Sequence, residues 1–105
     1  MLLLDDDDEL PLVPSEAEAA LVARLGAAGI AGIDAAIVSK VPDRQMKVAR
    51  VISDALEVSG LSVWDDGCVE LHARRVVALV AAGRLEAMGN TRKPRWSEVR
   101  LPRRS

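Results

Sequence analysis

Apolar positions along this chain recur at spacings of three and four in four blocks, then switch to alternation after residue 83. Ser15-Glu16-Ala17-Glu18 has the form of a capping box, with Ser15 as N-cap and Glu18 three residues on. The run behind it places Ala17, Ala20, Leu21 and Leu25 along one face, predicting a helix over 15–26 that ends near Gly26. Residues 27–32 (AAGIAG) read as a small-residue connector. A short helix is expected over 33–40, with Ile33, Ala36, Ile37 and Val41 apolar, and Pro42 stops it. Asp43 then offers an N-cap for a helix over 44–59, in which Val48, Ala49, Ile52, Ala55 and Leu56 form the buried stripe and Gly60 closes the turn.

Residues 61–64 form a linker with room for one short strand. Asp65 is the expected N-cap of the next helix, over 66–82, and Trp64 is placed to pack on Val69 as a hydrophobic staple. Val69, Ala73, Val76, Leu79 and Val80 make its apolar stripe, and Gly83 is the left-handed stop. Two strand-like pieces follow, 84–88 and 95–101, joined by the turn-rich Gly89-Asn90-Thr91-Arg92-Lys93-Pro94. Alternation turns Leu85, Ala87, Val99 and Leu101 inward. Glu86, Met88, Trp96, Glu98 and Arg100 are left on the other face. A tryptophan and a methionine there ask for a cover, supplied either by the amino-terminal helix or by a partner. The expected fold is mainly α: a small winged helix-turn-helix-like domain over 15–105 with a carboxy-terminal two-stranded β-hairpin wing. Residues 1–14, acidic and broken by Pro11 and Pro14, read as a flexible arm.

At 105 residues there is room for one small domain. Its apolar half is almost all Ala, Val, Leu and Ile; with no Phe or Tyr, the core suits closely packed helices rather than a sandwich. A single cysteine, Cys68, excludes an internal disulfide and a cysteine-rich zinc site. The opening MLLLDDDDELP lacks a basic region and a long apolar core, so it is not read as a secretory signal. With no uninterrupted apolar stretch of membrane length, the expectation is a cytoplasmic protein with no membrane role.

The net charge of −2 conceals an uneven distribution. Residues 1–20 hold seven acids and no base, whereas 84–105 hold seven bases against two acids. Such ends attract each other or serve separate partners. Cys68 and His72, four apart on one helix, have the spacing of a thiolate–imidazole pair or of half a metal site. No third group or further ligand set is apparent, so the chain is not expected to be an enzyme and no cofactor is expected. The acids of residues 5–9 lack the alternating spacing and glycine of a calcium loop, and Gly26, Gly29 and Gly32 lack the context of a phosphate-binding loop.

The basic residues carry more information. A helix over 66–82 lying in a major groove would present Glu70, His72, Arg74, Arg75 and Ala78, and arginine suits guanine edges and phosphates because it donates two parallel bonds. Arg92, Lys93 and Arg95 stand where a wing meets a phosphate backbone, with Arg103 and Arg104 beyond them. Asp65, Asp66 and Glu70 at the helix start oppose phosphate. These residues predict a nucleic-acid-binding or regulatory module contacting its target through Arg74, Arg75, Arg92, Lys93 and Arg95. The rival reading is a protein-interaction module, immunity or antitoxin-like, engaging a basic protein partner through Asp5, Asp6, Asp7, Asp8 and Glu9, with Trp96 as a further contact. A homodimer through residues 15–25 is open on either reading.

Ile33-Asp34, Lys47-Val48-Ala49-Arg50-Val51, Ala73-Arg74-Arg75, Leu79-Val80-Ala81-Ala82-Gly83-Arg84-Leu85-Glu86 and Trp96-Ser97-Glu98-Val99-Arg100-Leu101-Pro102 together resemble a bacterial domain family of unknown function. In that family the domain often follows a second uncharacterised domain, whose place is taken here by the acidic arm and one helix. The resemblance covers about residues 30–102 and implies a winged-helix-like fold. It implies no activity and no catalytic residue.

Overall fold

The computed structural model describes residues 9–62 and 65–102. Three helices and three short strands follow in the order α1 (Glu16–Lys40), β1 (Met46–Lys47), α2 (Val48–Ser59), α3 (Cys68–Ala81), β2 (Glu86–Met88) and β3 (Glu98–Arg100), with a 3-10 turn at Pro94–Trp96 before β3. The fold is mainly helical with a small antiparallel sheet, ordered β1-β3-β2. α1 packs on both α2 and α3. Leu21, Ile33, Ile37, Val51, Ile52, Val69, Val76, Leu85 and Val99 are among the side chains of the common core.

Several local expectations hold. The Ser15 hydroxyl accepts the Glu18 amide at 3.1 Å, which makes Ser15 the N-cap of α1. Gly60 ends α2 with φ of 77°. After α3, the Gly83 amide donates to Val80 and the Arg84 amide to Leu79, the paired bonds of a Schellman stop. Of the predicted stripe of α2, Val48, Ile52, Ala55 and Leu56 are buried, while Ala49 is half-buried and Val51 takes its place in the core.

Other expectations are corrected. Residues 27–32 are helical, so the two predicted helices join in α1, broken only at Gly26 (φ 67°, ψ −176°). Alanine-rich sequence tolerates helix here despite Gly29 and Gly32. The break redirects the chain so that both halves of α1 lie against the domain. α2 starts at Val48, and neither Asp43 nor any other side chain caps it. Met46 and Lys47 instead pair with Val99 and Glu98, and the Val48 amide continues the ladder to Ser97 at 3.0 Å. The unsatisfied edge of β3 thus draws two residues of helical pattern into a strand, giving a three-stranded sheet in place of a two-stranded hairpin.

α3 begins at Cys68 after Gly67 (φ 81°), and Asp65 is not its cap. The Asp65 carboxylate accepts the Ser62 amide at 3.0 Å, closing the preceding turn. Trp64, the proposed staple, lies outside the described residues. A Cβ on Gly67 would stand 2.7 Å from the Glu18 backbone, so this glycine permits the start of α1 to press directly on the start of α3. α1 does not cover the hairpin: Trp96 is 60% and Met88 58% exposed. Ala87 is exposed too, on the edge strand β2, while its partner Val99 is buried.

The arm is not loose up to residue 14. Leu10 is buried in the core cluster, and its amide donates to the Arg92 carbonyl at 2.6 Å. α1 is long and apolar enough to cross a membrane by length and composition, although most of it lies at the protein surface and Glu18, Arg24 and Asp34 interrupt it.

The Gly26 conformation is one that side-chain-bearing residues avoid, although a Cβ there would meet nothing within 4 Å. Gly26→Ala is therefore expected to destabilise the fold by about 1–3 kcal/mol through backbone strain alone. Gly32→Ala, in ordinary helix with equally open space, should stabilise it by up to about 1 kcal/mol. Urea unfolding of the two variants checks the contrast; equal effects would show that the break is not held at Gly26.

Candidate nucleic-acid interface

The five predicted cationic contacts divide between α3 and the hairpin. On α3, Arg74 donates to both carboxylate oxygens of Glu18, through Nε to Oε2 and through Nη2 to Oε1 at 3.1 Å. Arg75 does the same with Asp34, at 2.8 and 2.9 Å. Each is a two-point guanidinium–carboxylate pair, the strong form of this interaction. Glu18 is almost wholly buried and Asp34 largely so, while the arginines keep about a quarter to a third of their surface in solvent. The bond from Asp34 holds the Arg75 pKa above its usual value, against the opposing effect of burial. Glu18 therefore does not close the capping box from its own side chain; its carboxylate belongs to Arg74. These arginines anchor the two halves of α1 on α3 and do not form an open groove-reading pair.

Of the rest of the predicted reading face, Glu70 and Ala78 are half-buried. His72 is fully buried, against its expected place on the outward side of the helix, and it meets Ser59 at the end of α2. Its Nδ1 lies 2.8 Å from the Cys68 carbonyl, to which it donates, and its Nε2 lies 3.3 Å from the Ser59 hydroxyl. Burial lowers the pKa of His72, opposed in part by the bond to Cys68. Cys68 is buried too, and desolvation, with the charges of Asp65 and Glu70, pushes its thiol up to about 11. At neutral pH the pair is a neutral thiol beside a neutral imidazole, not a thiolate–imidazolium pair. Among the described residues, no group of three or more His, Cys, Asp or Glu side chains is arranged to hold a metal ion.

On the hairpin, Arg92 is held by the amino-terminal segment. Its Nη1 is 3.2 Å from Glu9, and its Nε and Nη2 donate to the Leu10 carbonyl at 3.0 and 2.8 Å. Asn90 donates to the same Glu9 carboxylate at 3.1 Å. Glu9, the described residue of the acidic run, thus meets the basic hairpin within one molecule. Arg100 pairs across the sheet with Glu86, its register partner. Lys93 is half-buried and Arg95 exposed, on either side of buried Pro94. Asp5, Asp6, Asp7, Asp8, Arg103 and Arg104 lie outside the described residues.

Reasoning along the sequence missed Glu18, Asp34 and Leu10 as functional neighbours. Glu18 and Arg74 are 56 residues apart, and Asp34 and Arg75 are 41 apart. No local pattern reports such pairs. No known protein family, characterised protein or solved structure matches the chain.

Two outcomes follow from this geometry. Arg74→Ala strands the Glu18 carboxylate in the interior and should cost about 3 kcal/mol, whereas Glu18→Gln, which keeps the shape and an acceptor, should cost less; chemical denaturation reads both. An unchanged midpoint for Arg74→Ala would show that the pair does not hold α1. The depressed pKa of His72 means that the unfolded chain takes up its proton first as pH falls. Its stabilising contribution is complete above pH 6.5 and declines below it. Melting temperatures at pH 7.5 and pH 5 should therefore differ more for the natural chain than for His72→Gln.

Proposed function

We propose that this chain is a non-enzymatic, winged-helix-like nucleic-acid-binding or regulatory module that makes its contacts through the β-hairpin. The order helix, strand, helix, helix, strand, strand, with the first strand paired to the last, supports the winged-helix reading. The family resemblance over residues 30–102 is in keeping with it and rests on those residues alone. The observation that carries the functional reading is the charge of the hairpin region. Residues 84–102 hold five bases against two acids, in a domain whose α3 arginines face its own carboxylates. Polyanion binding needs cations that reach solvent, and Arg84 and Arg95 do. The contact set is therefore Lys93 and Arg95 with Arg84, joined by Arg92 where Glu9 releases it. Arg74 and Arg75 support the fold.

A second reading is favoured by α1. Its exposed side carries Ala19, Val22, Ala23, Ala27 and Ala31, an apolar surface of the kind that docks a protein. On that reading the chain pairs with itself or with a protein through α1. The version that depends on the acidic arm is weakened, because Glu9 is already engaged by Arg92 and Asn90. We read α1 as a core helix and not as a membrane span, since Glu18 and Asp34 join it to α3.

Fluorescence anisotropy of labelled oligonucleotides, titrated from low to physiological salt, tests the first reading. Binding should weaken linearly in log salt and fall in Lys93→Ala/Arg95→Ala. Absence of binding at low salt, with a dimer in sedimentation at micromolar concentration, would replace it by the second.

A further inference from the structure

Resting on the nucleic-acid reading, we propose that the target is single-stranded nucleic acid, and that Trp96 is the side chain on which a base stacks. Duplex recognition by a winged helix requires an open helix face, and that of α3 lies beneath α1 with both arginines held by carboxylates. What the hairpin offers instead is an aromatic ring among cations. In Pro94-Arg95-Trp96-Ser97 the outer residues are buried and the two inner residues are exposed.

The turn is rigid. The Trp96 amide donates to the Lys93 carbonyl at 2.9 Å, and the buried Ser97 hydroxyl donates to the same oxygen at 2.9 Å. From the other strand Gly89 closes on it: a Cβ there would lie 2.9 Å from the Trp96 carbonyl. The indole is thus carried on a backbone fixed from three sides, yet more than half of its surface meets solvent. Isolated exposed apolar side chains are ordinary. This one sits within one to four residues of Arg95, Lys93 and Arg92, with Met88 exposed on the facing strand.

Aromatic side chains beside a positively charged track are the means by which single strands are held, because an unpaired base offers its π-face and its backbone offers phosphates. A duplex hides those faces. A protein partner would have no need for the cations that flank the ring, and the charge of residues 84–102 is complementary to a polyanion.

The test uses the full chain carrying Trp64→Phe, so that Trp96 is the sole tryptophan. Oligothymidine and a duplex of equal length are titrated in, with indole fluorescence and anisotropy read together. The single strand should quench the indole and bind more tightly than the duplex. Trp96→Ala, in the natural background, should weaken single-strand binding roughly 5- to 150-fold, and Trp96→Phe should keep most of it. Preference for the duplex, or single-strand binding indifferent to Trp96→Ala, overturns this inference while leaving the nucleic-acid reading intact. No binding of either at low salt overturns both. Should Trp64→Phe not fold, anisotropy with Trp96→Ala alone decides.

Discussion

The clasp of α1 on α3 by two guanidinium–carboxylate pairs is the contact on which the rest of this structure depends. Glu18 lies before the Gly26 break and Asp34 after it, so each half of α1 is held separately. Arg74 and Arg75 are consecutive and leave α3 in directions about a third of a turn apart, which suits them to two separated acids. Burying carboxylates is costly, and only a partner with matched geometry offsets the lost hydration. The bidentate fork of arginine supplies that match at both points. Leu21, Ile33 and Ile37 are buried beside these pairs and supply the apolar part of the association.

α3 is covered by α1 on one side and by α2 on another. A helix with one apolar stripe would show its other side to solvent, but here Cys68, Leu71 and His72 are enclosed as well. The Cys68–His72 pair is accordingly a matter of packing and hydrogen bonding, with both groups neutral at physiological pH. Gly67 belongs to the same arrangement, since a side chain there would collide with the α1 backbone. The amino-terminal segment is drawn in further along, where Leu10 enters the core and Glu9 reaches the hairpin.

Among the described residues, two surfaces stand out in chemistry. One is the small-residue side of α1, and the other is the hairpin with its cations, Trp96 and Met88. Their chemistries differ sharply. An alanine-rich face suits close helix packing, whereas an indole on a rigid basic turn suits a flat, charged ligand. On α3 the two arginines are held by carboxylates of α1, whereas Arg84 and Arg95 around the hairpin reach solvent.

Much of the local structure was legible in the sequence. Ser15 as a cap, Gly60 and Gly83 as stops and most of the stripe of α2 rest on interactions within a few residues along the chain, whereas the hairpin alternation failed at Ala87 and the second strand is shortened by the turn at Pro94–Trp96. The charge separation between the ends was equally plain. The strand at Met46 and Lys47 was not, because it exists only where β3 presents unpaired backbone groups. Nor was the role of Arg74 and Arg75. A side chain's exposure on an isolated helix follows from periodicity, but its partner depends on which element arrives opposite, and that was decided by the turn of the chain at Gly26. The sequence by itself determined where helices begin, end and show apolar faces, since those depend on neighbours three or four residues away. Only the tertiary structure decided which charges face solvent, because pairs 41 and 56 residues apart meet through the packing of whole helices.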